Sequence, residues 1–362
     1  MAKHRNRPTP IVQSEPLPKI PIADCPAVLV TGGAGYIGSH AALALLDQGV
    51  KVVVLDDMST GSSLLVPEGA VFVRGKAGDS ALVTRIIRRE NIGAVMHFAA
   101  SISVGDSVTQ PAAYYRNNLV ETLELADTAA AAGVGAVLLS STAAVYAEND
   151  GSRLRETDRL DPINPYGASK AMAERVLRDI AAASPHGMSV GILRYFNVAG
   201  ADPLGRSGQN SLHPHHLIEI ATQVATGQRD MITVHGNDYP TPDGSGVRDY
   251  VHVSDIAAAH VLLLRTILAA KGQSLTFNLG YGEGQSVLDV LSALGKVSGR
   301  NIPYSFGPRR AGDPASLVAD ASLASALGWT PAYKDLTTMV GHALAWERQR
   351  SKAPEDAVAV AA

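Results

Sequence analysis

Two side chains in this 362-residue sequence, Tyr166 and Lys170, have the types and spacing needed to take a proton from a hydroxyl group. They lie four residues apart after Pro165, in the longest helix-like segment, and so share one helix face. A phenol with an ordinary pKa of about 10 is a poor base at neutral pH, and an adjacent ammonium favours its phenolate. The pair alone is a weak signal, because Tyr-x-x-x-Lys also occurs by chance. Upstream, Ser140, Ser141 and Thr142 end a strand candidate and bring hydroxyls to the carboxyl edge of a sheet, where open parallel sheets bind ligands. Nearer the start, Thr31 to Gly38 reads Thr-Gly-Gly-Ala-Gly-Tyr-Ile-Gly between a strand candidate and a helix candidate. It holds Gly33-x-Gly35-x-x-Gly38 and, in a second frame, Gly32-x-x-Gly35-x-x-Gly38. Glycines there permit a tight turn and let the backbone N–H groups of a helix N-terminus approach a pyrophosphate. Asp56 closes the next strand candidate, and a carboxylate there binds a ribose diol and repels a 2′-phosphate, which favours NAD over NADP. An ordinary turn followed by a solvated Asp is the weaker reading in this context.

These groups need a scaffold. Apolar runs at Ala27–Val30, Val52–Leu55, Val71–Val73, Ala94–Phe98, Ala136–Leu139 and Val190–Leu193 are strand candidates. Helix-like segments at Ile37–Gln48, Ala81–Arg89, Asn118–Ala132 and Pro165–Ala182 alternate with them. Such alternation predicts right-handed crossovers and a parallel sheet covered on both faces. The expected class is α/β: a doubly wound parallel (Rossmann) sheet with a smaller mixed C-terminal substrate-binding region. The pattern changes after Gly200. Val247–Val253, the helix-like Ile256–Leu268 and the strand-like Leu275–Leu279 suit a return to the first sheet. The expected division is therefore a disordered lead-in (1–26), an NAD-binding unit (27–200, joined again by 247–281), a substrate-binding region (201–246 and 282–348) and a tail (349–362).

Hydrophobic residues make up 46% of the chain and charged ones 18%, ample apolar material for a core and against disorder as the main state. The net charge of −3 supplies no positive field for a polyanion, so nucleic acid is not an expected partner. No apolar run approaches the roughly 18 residues of a membrane span. The prolines at 8, 10, 16, 18, 21 and 26 interrupt any signal-like segment, and a single cysteine, Cys25, cannot form an internal disulfide; together they point to a cytoplasmic setting. His213, His215 and His216 cluster without a Cys or acidic partner at ligand spacing, and no metal site is expected.

Several segments together resemble the extended short-chain dehydrogenase/reductase superfamily and, within it, the UDP-galactose (UDP-glucose) 4-epimerase family. They are Thr31–His40, His97–Ala100, Tyr114–Asn118, Pro165–Lys170, Leu193–Asn197, and Gly236-Asn-Asp-Tyr through Val253. The resemblance spans about Val28 to Trp346. It implies Tyr166 as catalytic base, Lys170 as the residue that holds the nicotinamide ribose and lowers the Tyr166 pKa, and Thr142 beside the sugar O4. It implies NAD contacts from Gly32, Gly35, Tyr36, Ile37, Gly38, Asp56, Phe98, Asn118, Lys170 and Tyr195. A UDP-hexose would meet Thr142, Tyr166, Asn197, His216, Leu217, His235, Arg248 and Arg310, the two arginines gripping the diphosphate because guanidinium forks match phosphate oxygens. A homodimer through the helical face of Asn118–Ala132 and Pro165–Ala182 is implied too.

Three positions depart from the family pattern. Lys76 stands where an Asp usually meets the adenine amino group, and a cation cannot accept that hydrogen bond; Asp79 could substitute if the loop is rearranged, and NAD should otherwise bind more weakly. His235 replaces an aromatic ring against uracil. Leu317, intermediate in size, occupies the position that governs tolerance of a 2-N-acetyl group, which leaves the sugar range open. Competing readings are another nucleotide-sugar enzyme of the superfamily (an N-acetylhexosamine or pentose 4-epimerase, a decarboxylase, or a 4,6-dehydratase, against which Ala143 after Thr142 argues) and a non-catalytic NAD sensor, against which the Tyr/Lys pair argues.

Overall fold

The structure is a computed structural model, described for residues 21, 24–148, 151–211, 214–310 and 313–351. Most of the lead-in, the tail beyond 351, and His213 lie outside the described residues. In chain order the elements are β1 (Ala27–Thr31), α1 (Tyr36–Leu46), β2 (Val52–Asp56), β3 (Val71–Arg74), α2 (Ser80–Glu90), β4 (Ile92–His97), α3 (Val104–Thr109), α4 (Pro111–Tyr114), α5 (Glu121–Ala131), β5 (Ala136–Thr142), α6 (Pro165–Ala183), β6 (Ser189–Tyr195), β7 (Asn197–Ala199), α7 (Leu217–Ala225), β8 (Ile232–His235), β9 (Val247–Arg248), β10 (Tyr250–His252), α8 (Val253–Ala269), β11 (Ser274–Leu279), β12 (Gln285–Ser286), α9 (Val287–Ser298), β13 (Tyr304–Gly307), β14 (Ser316–Leu317), α10 (Ser322–Ala326) and α11 (Leu336–Arg350).

Seven strands form one parallel sheet in the order β11-β6-β5-β4-β1-β2-β3. The order reverses between β1 and β4, and a crevice opens at the carboxyl edge of such a switch point. The central strands are apolar on both faces because helices cover both. One core packs β1, β2 and β6 against α1 and α8, and the other packs the opposite face against α2, α5 and α6. A third core joins α7, α9 and α11 to β8 and β10. The late strand β11 pairs with β6 from Ser274↔Val190 to Leu279↔Tyr195, so the chain does return to the large sheet.

Two elements differ from the sequence expectation. The helix expected from Asn118 is a π-helical turn over Tyr115–Val120 that passes into α5 only at Glu121. The strand expected over Val247–Val253 breaks at Asp249, whose buried carboxylate accepts from the amides of Tyr281, Gly282 and Ala319. β9 therefore joins a small sheet with β12 and β14, whereas β10 pairs with β7. Cys25, at the end of the lead-in, is half-buried against the first core.

Candidate active site

The glycine turn is built where β1 meets α1. Gly32 has φ +70, and a side chain there would strike the backbone of Ala99; one at Gly38 would come within 2.3 Å of Gly32 O. Gly33 packs instead against the Val54 side chain, so Gly32, Gly35 and Gly38 shape the turn itself. Helix α1 opens on Gly35 with no side-chain cap and no acidic residue in its first turn, an arrangement suited to an anion. Ile37 packs partly against the core, and the Tyr36 hydroxyl donates to Gly200 O at 2.7 Å, so Tyr36 can face the turn only through its backbone. Asp56 at the end of β2 accepts from Ala34 N (3.0 Å) and Met58 N (2.9 Å); burial outweighs these bonds and raises its pKa.

Helix α6 begins at Pro165, capped by Asn164 Oδ1 on Gly167 N at 2.9 Å, and presents Tyr166 and Lys170 below the end of β5. The Tyr166 hydroxyl lies beside the side chain of Thr142, which ends β5, and the Tyr114 ring stands edge-on to Tyr166 at 6.5 Å. Burial pushes the Tyr166 phenol up to about 12, the neighbouring Thr142 hydroxyl opposing and Tyr114 adding to the rise. Lys170 is not among the groups that set this rise. Lys170 Nζ donates to Ser140 O at 2.9 Å, and its own pKa falls to about 8 through burial, against the pull of Glu174. Beneath it Glu174 forms a buried ion pair with Arg194 and accepts from Ser141 Oγ, which anchors α6 to the strands that carry Thr142 and Tyr195.

Asn118, in the π-turn, accepts from Ser101 N and donates to Ser101 O, which holds the loop after β4. The rings of Phe98 and Tyr195 turn toward α8: Phe98 lies 4.8 Å from His260, and Tyr195 OH is 2.9 Å from His260 Nε2. Asp79 caps α2 through Oδ1 on Leu82 N; the acid near Lys76 is Glu121, 4.0 Å away, which also accepts from Gly78 N.

Arg248 and Leu317 are register neighbours between β9 and β14, and Arg248 Nη2 donates to Asp313 Oδ1 at 2.9 Å. Arg310 is exposed on the same loop, its carbonyl accepting from Asp313 N. Asn197 begins β7 beside Tyr250, and His235 ends β8, its Nδ1 3.2 Å from Pro308 O. His216 caps α7 without a side-chain bond, Leu217 opens that helix against the third core, and burial beside His215 lowers His216 to about 4. Thr142, Tyr166 and Lys170 thus meet at one place, whereas Arg248 and Arg310 are presented from the C-terminal region. Glu174 and Asp313 were not singled out from sequence; Tyr114 entered only within the Tyr114–Asn118 segment of the resemblance, and Ser140 only for its hydroxyl. Asp313 had a signal, a carboxylate in the same short segment as Arg310; Ser140 acts through its carbonyl, which no residue type marks. Among the described residues no group of three or more His, Cys, Asp or Glu is arranged to hold a metal, and no helix is long and apolar enough to cross a membrane.

The NAD dependent epimerase/dehydratase family matches residues 28–280. A UDP-glucose 4-epimerase of Azospirillum brasilense is 49% identical over 90% of this chain and 93% of its own. Among solved structures, UDP-glucose-4-epimerase from Stenotrophomonas maltophila with bound NAD and formylated UDP-arabinopyranose superposes with a TM-score of 0.86 at 39% identity, covering 91% of this chain and 100% of that one. The UDP-Glc/GlcNAc 4-epimerase from Campylobacter jejuni gives 0.76 at 42% identity, over 89% and 99%.

Proposed function

From the premise that the chain belongs to the NAD dependent epimerase/dehydratase family, we propose that it interconverts UDP-galactose and UDP-glucose by oxidation and re-reduction at C4. The observation that carries this reading is the meeting of Tyr166, Thr142 and Lys170 at the carboxyl edge of the sheet that opens with the glycine turn. NAD fits that turn: Gly32 and Gly38 leave no room for a side chain, the N-terminus of α1 is uncapped, and Asp56 stands at the end of β2 for the ribose. Hydride acceptance at C4, its later return, and a positive charge beside the phenol are the chemistry NAD supplies when bound.

Tyr166 takes the O4 proton as the 4-keto sugar forms and returns it after the ketose has turned over. Thr142, beside the same hydroxyl, aligns O4. Lys170, anchored on Ser140 O, holds the ribose and sets the local potential. Arg248 and Arg310 hold the diphosphate, with Asn197, His216 and Leu217 along the sugar nucleotide and His235 against uracil. A grip on the diphosphate alone leaves the hexose free to rotate. The sugar range is the second reading: Leu317 next to Arg248 leaves room to test pentose and N-acetylhexosamine substrates, consistent with the ligand and name of the two structural relatives.

A homodimer is supported by exposed apolar side chains on the helical face expected to form it: Val120 and Leu123 around the start of α5, and Met172 on α6. A cytoplasmic setting is supported by the single cysteine. The test is incubation with UDP-galactose, UDP-N-acetylgalactosamine and UDP-xylose separately, with the 4-epimer quantified in each. Conversion of none ends the epimerase reading. Tyr166→Phe should lose at least about 100-fold in turnover while still binding UDP-sugar; unchanged turnover removes Tyr166 as the base. Light scattering giving the mass of one chain removes the dimer.

A further inference from the structure

A run of buried side chains joins the glycine turn to the catalytic helix through the interior. His97 ends β4 with its ring 1% exposed, between two threonines. Its Nδ1 lies 2.6 Å from Thr31 Oγ1, at the end of β1, and its Nε2 lies 2.8 Å from Thr122 Oγ1, in α5. A threonine hydroxyl has one proton, and that of Thr122 goes to Asn118 O at 2.7 Å. The ring must therefore donate through Nε2. Burial and the Lys170 ammonium hold His97 neutral, with its pKa down to about 3, so Nδ1 is left to accept from the Thr31 hydroxyl. With the ring neutral, connectivity sets the tautomer and both hydroxyl rotors.

The run continues beyond Asn118. Its Nδ2 donates to Ser169 Oγ at 3.1 Å, and Ser169 Oγ donates to Tyr166 O at 2.7 Å. Thr31, His97, Thr122, Asn118 and Ser169 are all fully or almost fully buried. The first of them precedes the glycine turn, and the run ends on the backbone of the proposed base. It passes through the π-turn, a winding used sparingly in proteins and often at functional sites. The Asn118 carbonyl in that turn is gripped from the side by Thr122, which His97 in turn orients.

We infer that His97 is a positioning residue for the reaction: as the Nε2–H tautomer it fixes the π-turn that carries Asn118, and with it the placement of Tyr166 relative to the glycine turn. The role in turnover rests on the function proposed above; the holding of the π-turn does not. Thr122→Val keeps the shape of the neighbour and removes the acceptor, Thr122→Ser keeps the hydroxyl, and His97→Phe fills the ring space while removing both bonds. In the full chain with NAD present, Thr122→Val and His97→Phe should lower kcat by about 10- to 100-fold, the scale of a small misplacement, with KM for UDP-galactose within about twofold. Thr122→Ser should restore kcat to within about threefold of the parent. The double variant should be no slower than the worse single, because both cut the same run.

Amide hydrogen exchange over residues 115–122 supplies a readout without turnover: about tenfold faster in Thr122→Val and unchanged in Thr122→Ser. Unchanged kcat in Thr122→Val, equal losses in Val and Ser, or a KM rise matching the kcat fall overturns the positioning role. If His97→Phe does not fold, the Thr122 pair decides alone. If the parent converts no UDP-sugar, the proposed function fails, and the exchange measurement still judges the π-turn: equal exchange in Thr122→Val and the parent overturns it.

Discussion

Lys170 Nζ is almost wholly removed from water, 3% exposed, and donates to a single carbonyl, Ser140 O. Its folded pKa of about 8 lies below its ordinary 10.5 because burial penalises the ammonium more than Glu174 favours it. Between pH 8 and 10.5 the unfolded chain binds more protons at this position than the folded one, so stability rises with pH across that window; below pH 8 the penalty is full and constant. Tyr166, pushed up from 10 to about 12, acts in the opposite sense only above pH 10. Urea unfolding at pH 8 and pH 10 should therefore show the parent gaining about 2 kcal/mol relative to Lys170→Met; parallel behaviour of the two proteins refutes the buried charge. The Tyr166/Lys170 pair was legible because helix periodicity alone brings i and i+4 together. What each polar tip meets was not. Lys170 reaches a backbone oxygen, which no residue type marks, and Tyr195 spends its hydroxyl on His260, 65 positions away in the chain. Tyr114 is placed against Tyr166 by the end of α4, a tertiary contact with no local pattern.

At the scale of elements, the strands and their helices were readable because a parallel sheet covered on both faces demands apolar runs with little alternation, and β1, β2, β4, β5 and β6 supply them. The π-turn was not readable. It inserts one residue into a helical run without any change in composition, and its support comes from Thr122 and His97, which belong to other elements. The break at Asp249 was hidden likewise, since the three amides that its carboxylate gathers lie more than thirty residues downstream. The glycine turn is the element whose geometry is most restrictive. A Cβ at Gly38 would sit 2.3 Å from Gly32 O, a backbone atom that cannot swing aside, so Gly38→Ala must push α1 away from the turn. The expected result is at least a tenfold loss of NAD affinity by titration calorimetry. Gly105→Ala, whose Cβ meets open space, is the control and should bind NAD as the parent does. Equal affinity in all three proteins would mean that the turn does not hold the pyrophosphate.

Across the whole molecule, the cores are stitched by buried neutral histidines, and this makes the fold acid-sensitive. His40 in α1, His97 in β4, His252 at the end of β10 and His260 in α8 are each 3% exposed or less, and burial lowers their pKa values to between about 3 and about 4. His252 faces His342 at 3.0 Å, which adds repulsion to any proton it gains. The unfolded chain protonates the same groups near their ordinary 6.5, so below that pH it binds more protons than the folded one and stability drops as the pH is lowered. Each of the four contributes a loss of about 1.4 kcal/mol per unit below 6.5. Asp249 acts the other way: burial raises it to about 6, so the folded chain takes up its proton first and part of the loss is offset below pH 6. Asp56, Glu156 and Glu219, also raised by burial, oppose the histidines in the same direction. The histidines act first, because their ordinary value of 6.5 lies above the range in which the buried carboxylates take up protons, and between pH 7 and pH 5.5 the balance is a net loss of stability. Urea midpoints measured at pH 7, 6.5, 6 and 5.5 should fall steadily below 6.5. A midpoint that stays level to pH 5.5 would show that the four imidazoles are not held neutral, and the buried hydrogen-bond run through His97 would fall with them.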